Sequence, residues 1–482
     1  MDIQSLIKTI SLPSTGNIRQ AMQHIDDGAI GVALLVNEDQ RFAGLITDGD
    51  IRRGLLHGLG LESPIVHIER PATRTAQVGM SNQDIARLFS RPVRVVPVLD
   101  DNDAVVDLAF FDQRMRLPVA EPSLGEKELQ YVTECVISGW VSSAGEFVNR
   151  FETMFADFCD TKYAIATSNG TTALHLALVA CGIGPGDEVI VPTMSFIATA
   201  NAVKYTGATP IFVDSEPNYW TIDVEQIEAA ITPNTKAIIP VHLYGHPADM
   251  DPILEIARTH NLLVIEDAAE AHGALYKGRR VGGLGDIGMF SFYGNKIVTT
   301  GEGGMVVTNR EDFAKSMQVL RAHGMSPQKR YWHDVLGYNY RITNLQAALG
   351  VAQMEKIEKL IEAKRHMAGR YSDGLKDIPG ITLPAEASWA NHVYWLYSIL
   401  IDEHIFGMSR DNLMDQLNHQ GIDSRPIFPC MHNQPIYNTM QNLPIAANLS
   451  DTGLSLPGAT TITDKDLDRV IEAIKMLHQQ FV

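Results

Sequence analysis

Five short runs rich in apolar and β-branched residues recur through the middle of the chain: Tyr163–Thr167, Glu188–Val191, Thr209–Val213, Ala237–Val241 and Leu262–Glu266. Each is followed by a polar or glycine-containing turn and then by a helical pattern. This alternation predicts a mostly parallel sheet covered by helices on both faces. Ligands of such sheets gather beyond the carboxyl ends of the strands, so the residues after each run are where chemistry is expected. In Met289–Val307, Phe290, Phe292 and Val298 suit buried strand-like backbone. Thr299, Thr300, Gly301, Gly303 and Gly304 suit a tight turn before a further strand, Met305–Thr308. From Thr343 onward, Leu345, Leu349, Ile357 and Leu360 recur at helical spacing and predict one long amphipathic helix.

The beginning of the chain has a different rhythm. Residues 17–56 and 82–113 read as two degenerate copies of one unit: amphipathic helix, apolar strand, acidic turn, second strand. The first copy runs Ile18–His24, Val32–Val36, Asn37–Gln40 and Phe42–Ile46, with a helix from Asp50. The second runs Ile85–Ser90, Val93–Leu99, Asp100–Asp103 and Ala104–Phe110. Neither copy buries its apolar face alone, so the two are expected to pack as a pair. Two prolines in Asp112–Pro122 mark a boundary. Three parts follow: residues 1–115, a large domain over 116–365 and a small α+β domain over 366–482.

The residues after the strands carry the candidate chemistry. Ser168-Asn-Gly170-Thr171-Thr172 opens an Ala/Leu-rich helix, where free N–H groups, the helix dipole and hydroxyls suit a phosphate, or an ordinary N-cap. Phe196 suits either a flat-ring stacker or a core position. Asp267 and Glu270 follow the fifth strand, with small alanines between them that leave room for a ring. An acid there is costly without a cationic partner, for which a protonated pyridine nitrogen would serve; the alternative is a capping aspartate. Lys296, alone between an aromatic segment and a run of small residues, is either a snorkelling surface lysine or an amine made nucleophilic by partial desolvation. Gly283-Leu-Gly285-Asp-Ile-Gly288 matches GxGxxG but precedes a strand instead of following one, so it fails the dinucleotide context.

Composition narrows the classes. A formal net charge of −18 argues against nucleic-acid binding. No apolar run nears the roughly 20 residues of a membrane span, and no signal-peptide pattern opens the chain. Cys135, Cys159, Cys181 and Cys430 form no CxxC pair, which points to a reducing cytoplasm without zinc or a disulfide framework.

The first 115 residues resemble a tandem CBS-domain pair. Gly44-Leu-Ile-Thr-Asp-Gly-Asp50 matches that family's adenosine-phosphate motif, which implies Thr47 on a phosphate and Asp50 on the ribose hydroxyls. The second copy lacks the Thr and the trailing Asp, so at most one nucleotide is expected. The alternative reading has Asp48 and Asp50 capping the helix that carries Arg52 and Arg53.

Residues 117–482 resemble the DegT/DnrJ/EryC1/StrS sugar aminotransferases. The resemblance is carried by Phe290-Ser-Phe-Tyr-Gly-Asn-Lys296, Thr300-Gly-Glu-Gly-Gly304 and Glu266-Asp-Ala-Ala-Glu-Ala-His-Gly273. It implies an aspartate-aminotransferase-like α/β fold (fold type I) and pyridoxal 5′-phosphate as cofactor. Lys296 would hold the cofactor covalently and shuttle a proton, and Asp267 would pair with the pyridinium nitrogen. Gly170, Thr171 and Ser291 would bind the phosphate, Phe196 would stack on the ring, and Glu270 would lie near the ring hydroxyl. Asn339 would reach a neighbouring subunit's phosphate, which implies a homodimer or larger homo-oligomer with shared active sites.

Arg321-Ala-His-Gly-Met-Ser-Pro327, Arg330-Tyr-Trp332 and Gly337-Tyr-Asn-Tyr-Arg341 resemble the members that aminate GDP-4-keto-6-deoxymannose to GDP-perosamine with L-glutamate. His323, Lys329, Arg330, Arg425 and His432 are the implied contacts to such a nucleotide sugar, with a surface ion pair as the alternative for Arg425 and His432. Rival readings are a UDP- or dTDP-linked keto sugar, a cofactor-dependent sugar dehydratase, which replaces the lysine with histidine, and a non-catalytic nucleotide sensor.

Overall fold

The computed structural model describes residues 3–481 except 69, 71, 81–84, 86–87, 90–93 and 111–116. The chain divides into two units, Met1–Arg116 with His419–Gly421, and Leu117–Asn418 with Ile422–Val482.

The larger unit is built on a seven-stranded sheet: β1 (Tyr163–Thr167), β2 (Glu188–Pro192), β3 (Thr209–Val213), β4 (Thr235–Ile238), β5 (Leu263–Asp267), β6 (Ile287–Ser291) and β7 (Gly304–Thr308). Their spatial order is β1-β7-β6-β5-β4-β2-β3. Only β7 runs antiparallel to its neighbours. The carboxyl ends of the other six therefore share one side of the sheet. Alternate residues feed two cores: Ala164, Ala166, Val264, Phe290, Met305 and Val307 face one side, and Ile165, Ile265, Met289 and Val306 the other. Burial on both faces explains why these strands read as continuous apolar runs.

The fourth strand differs from the expected Ala237–Val241. It ends at Ile238 because Pro240 has no N–H to give the ladder, and pairing resumes only as the isolated bridge Val241–Asp267. Around β6 the glycines of the GxGxxG match serve packing: a Cβ at Gly288 would lie 2.1 Å from the Gly282 carbonyl oxygen. N–H groups of this same loop wrap a carboxylate of the protein itself. Glu266, fully buried, accepts from Gly282, Leu284 and Gly285, each at 2.7 Å, and meets His242 Nε2 at 3.0 Å.

The long helix expected from Thr343 is two helices, Asn344–Met354 and Ile357–Leu375. The break follows Glu355, whose carboxylate meets Lys127, Tyr131 and Arg150, and Lys356 leaves the helical region at φ −124°. Ala347, Ala348, Gly350 and Val351 make the buried face of the first helix, while Leu345 and Leu349 are half-buried. In the second helix Ile357, Leu360 and Ile361 join the large core, and Met367, Ala368, Tyr371 and Leu375 join a separate core. That separate core lies against an antiparallel four-stranded sheet of Ile381–Thr382, Tyr397–Ile401, Gly453–Leu456 and Arg425–Pro426.

The smaller unit shows its repeat in the backbone. Ser11–Pro13 pairs parallel with Val32–Val36, which pairs antiparallel with Phe42–Thr47; Ala76–Gln77, Val95–Leu99 and Val105–Phe110 repeat that arrangement. Both hairpins carry a register shift at the last strand residue, and Asn37 and Asp100 cap the two turns with the same side-chain bonds to N–H groups two and four residues on. The expected helix Ile85–Ser90 and the first residues of the boundary Asp112–Pro122 lie partly outside the described residues.

Phe155 is fully buried and packs edge-on against Phe290 and Phe292 beneath β6. Phe155→Ala should destabilise the larger unit by about 3–5 kcal/mol, read as a lower denaturant midpoint; an unchanged midpoint would mean the site refills.

Candidate active site

Four chain segments meet at the carboxyl ends of β1, β2, β5 and β6. After β1, Asn169 caps the helix Gly170–Ala180: its side chain accepts from Thr172 N at 2.9 Å, and Thr172 Oγ1 donates back to the Asn169 carbonyl at 2.8 Å. The cap occupies Thr172. It leaves the first-turn N–H groups of Gly170 and Thr171 and the Thr171 hydroxyl without protein partners among the described residues. A Cβ at Gly170 would stand 2.7 Å from Ser291 Cβ, so only glycine lets the helix start come level with the end of β6. Ser291 Oγ thus sits beside a helix N-terminus, a set of donors that suits a phosphate.

The acids lie deeper. Asp267 ends β5 and is 6% exposed. Thr199 Oγ1 donates to it at 2.8 Å, and Ser195 Oγ lies 3.0 Å from Thr199 Oγ1. Burial raises the Asp267 carboxyl above its usual range, against the opposing pull of Thr199 and Lys296. Two carboxyl oxygens with only neutral donors in contact leave room for a cation, the requirement that a pyridinium N–H meets. Glu270 accepts the Tyr244 N–H at 2.7 Å, and its Oε1 lies 3.7 Å from Lys296 Nζ. Burial pushes Glu270 up to about 7 and lowers Lys296, each opposed by the charge of the other. Desolvation therefore drives the pair toward neutrality, the state in which Lys296 is a nucleophile.

Phe196 presents a ring that is 55% exposed and is backed by Phe428 at 5.9 Å between centroids. Asn339 is exposed. Its neighbours Tyr338 and Tyr340 stack at 4.8 Å and pack on His175, which turns Asn339 outward. Gly170, Thr171, Ser291, Asp267, Glu270 and Lys296 are thus set around the strand ends. The remaining expectations are not brought to this cluster. His323 contacts Arg341 at 3.3 Å, Lys329 lies over Trp332 and Arg330 over Tyr331, all on the surface. Arg425 is exposed, 4.0 Å from Asp423, the surface-pair alternative. His432 is 2% exposed, and its Nδ1 lies 2.7 Å from Thr193 Oγ1.

In the smaller unit Thr47 and Asp50 form a capping box, with Asp50 N donating to Thr47 Oγ1 at 3.1 Å and Thr47 N to Asp50 at 2.9 Å. Arg53 pairs with the other oxygen of Asp50. Glu302 acts through its backbone, its carbonyl accepting from Thr300 Oγ1 and Gln346 Nε2, each at 2.7 Å.

Several site residues escaped the sequence reading. Trp395 lies over Lys296 Nζ at 3.5 Å, and Tyr244 reaches Glu270 through its main chain from a left-handed φ of 53°. Trp395 is separated from Lys296 by about a hundred residues, and no residue type announces a left-handed tyrosine. Thr199 did carry a signal, one helical turn beyond Ser195.

A carboxyl raised from 4.5 to about 7 contributes stability that is fully present below 4.5 and lost as pH rises through about 7. Glu270→Gln should remove that loss, so the fall in melting temperature of cofactor-free protein across this window should be smaller in the variant. Equal falls in both proteins would exclude Glu270 as the source.

The DegT/DnrJ/EryC1/StrS aminotransferase model matches residues 122–475, and a CBS-domain model matches residues 5–57. The GDP-perosamine synthase of Caulobacter vibrioides is 51% identical over 362 residues, covering 74% of this chain and 97% of that one. The GDP-perosamine synthase of Escherichia coli O157:H7 is 46% identical, with the same two coverages. Among solved structures, an aminotransferase from Psychrobacter cryohalolentis is 34% identical with a TM-score of 0.71, covering 75% of this chain and 98% of that one. With a cradle for phosphate, an unpaired buried acid and a desolvated lysine at the ends of one sheet, and with these matches, the chain belongs to the DegT/DnrJ/EryC1/StrS aminotransferase family and carries a CBS domain at its start.

Proposed function

We propose that this protein transfers the amino group of L-glutamate to a nucleotide-linked 4-keto-6-deoxyhexose, converting GDP-4-keto-6-deoxymannose to GDP-perosamine for surface polysaccharide. The observation that carries the reading is 51% identity along 97% of a GDP-perosamine synthase. Lys296 supports transamination over dehydration, because the dehydratases of this fold replace that lysine with histidine.

Pyridoxal 5′-phosphate is the cofactor; when bound it supplies an electrophilic carbon and a ring that accepts an electron pair. Gly170, Thr171 and Ser291 would hold its phosphate, and Phe196 would stack on its ring. Asp267 would keep a proton on the pyridine nitrogen, because two buried oxygens favour a cation beside them. Glu270 stands near the ring hydroxyl. Lys296 Nζ would hold the cofactor covalently and, when free, would be the amine placed to take up and return a proton. Burial lowers its affinity for protons, against the pull of Glu270 and Asp267, and so favours the free amine that this role needs.

The nucleotide sugar is read through donors for its diphosphate, His323, Lys329 and Arg330, with Arg425 at the rim. The outward Asn339 and the exposed apolar residues Leu129, Val136, Ile137 and Trp140 support a two-fold homodimer in which Asn339 serves the neighbouring phosphate. Four unpaired cysteines support a cytoplasmic setting. The first unit takes an adenine or guanine nucleotide at Thr47 and Asp50. Among the described residues no helix is long and apolar enough to cross a membrane.

Purified protein is expected to be yellow and to bleach with L-glutamate, while Lys296→Ala loses the covalent visible band and at least about a thousandfold in turnover. A wild-type spectrum identical to that of Lys296→Ala would refute transamination. In a panel of GDP-, UDP- and dTDP-linked keto sugars, turnover of GDP-4-keto-6-deoxymannose is expected. Failure with it and turnover of a UDP or dTDP analogue would overturn the substrate and leave the reaction class standing. For the first unit, calorimetry on the full chain should detect nucleotide binding that Asp50→Ala abolishes; binding that survives the substitution would move the site elsewhere.

A further inference from the structure

Lys296 Nζ lies between two partners, the Glu270 carboxyl at 3.7 Å and the face of Trp395, 3.5 Å from its ring centroid. The indole is fixed from several sides. Its Nε1 donates to the carbonyl of Asn295, the residue before Lys296, at 2.8 Å. Its own carbonyl accepts from Lys364 Nζ at 2.8 Å. Lys364 is 3% exposed and spends a second donor on the Gly458 carbonyl. Tyr244 and Phe428 lie near-parallel to the ring at 6.2 and 6.5 Å. Trp395 is 3% exposed and cannot swing away without breaking these contacts.

We propose that Trp395 is a positioning residue for the catalytic amine: its indole face is the resting place of the Lys296 ammonium whenever that amine is not covalently engaged. The groups facing Lys296 are few. Glu270 and Asp267 oppose the loss of its proton, and His272 is kept neutral by burial, which lowers it to about 3. Both carboxyls are themselves raised by burial, so their pull fades as they take up protons. The quadrupole of the ring does not titrate. It attracts the ammonium and offers nothing comparable to the free amine. A lysine that must serve in turn as nucleophile and as proton carrier needs both forms within reach at one pH. Burial supplies the free amine, and Trp395 supplies the protonated form without placing another negative charge beside the cofactor. Because Nε1 is tied to the residue next in sequence, the ring keeps station over Nζ.

Fluorinated tryptophans weaken the π-face with little change of shape, and all keep the Nε1–H. The full chain, freed of cofactor, is prepared with tryptophan and with mono-, di- and trifluorinated analogues. The rate of Lys296 acetylation by acetic anhydride, followed by mass spectrometry across pH, gives the midpoint of the amine. The midpoint is expected to fall stepwise with fluorination, and Trp395→Leu to lower it furthest, by about 0.4–1.5 pH units. A flat or rising series overturns the proposal. So does a fall that persists when the other four tryptophans are fluorinated in the Trp395→Leu background. Should that variant not fold, the fluorinated series decides alone. The inference rests on Lys296 being the cofactor amine, yet the measurement uses cofactor-free protein. A flat series leaves the Lys296→Ala spectrum standing, and failure of that spectrum leaves the ring–amine contact measurable.

Discussion

Water is kept from Asp267, Glu270 and Lys296, and the rest of the larger unit is arranged around that exclusion. An ionised side chain held away from water must find a partner or give up its charge. Here the compensation is deliberately incomplete. Thr199 and one main-chain N–H serve Asp267, a main-chain N–H serves Glu270, and an aromatic face serves Lys296. Compare Glu266, one residue earlier, which is also fully buried. It has three N–H groups and a histidine, and it is structurally closed. Two adjacent acids on one strand thus separate into a finished structural element and an unfinished reactive one. The difference lies in how many donors each meets.

Much of this was legible before any coordinates. Apolar runs buried on both faces announce themselves, and the rule that ligands gather at strand ends selected Gly170, Asp267 and Glu270 from ordinary residue types, while Ser291 came from the family resemblance alone. What failed to show depends on long-range closure. Tyr244 reaches Glu270 only because its backbone is left-handed beside a tightly packed Gly245, whose Cβ would lie 2.8 Å from Val393 Cγ2. The burial of His432 does not show in the sequence because histidine has no fixed preference for exposure, and its seat on Thr193 is set by a contact across 239 positions of sequence. The broken helix at Glu355 was hidden because a carboxylate with three partners interrupts no hydrophobic period.

The first unit teaches the same lesson in another way. Its two copies share hairpin register and turn capping although their sequences have drifted, because an Asn or Asp accepting two N–H groups suffices to set the turn. Thr47 and Asp50 survive as a capping box, which is compatible with a bare helix start as well as with a ligand, since capping and diol recognition use the same oxygens.

The helix Ile357–Leu375 carries its own consequence. Its first turns are cemented into the core of the large sheet, and its last turns into the core of the small one. A rigid rod fixed at both ends leaves no slack between the bodies it joins. The two cores are therefore not interchangeable modules: cut the chain there, and each half loses a wall.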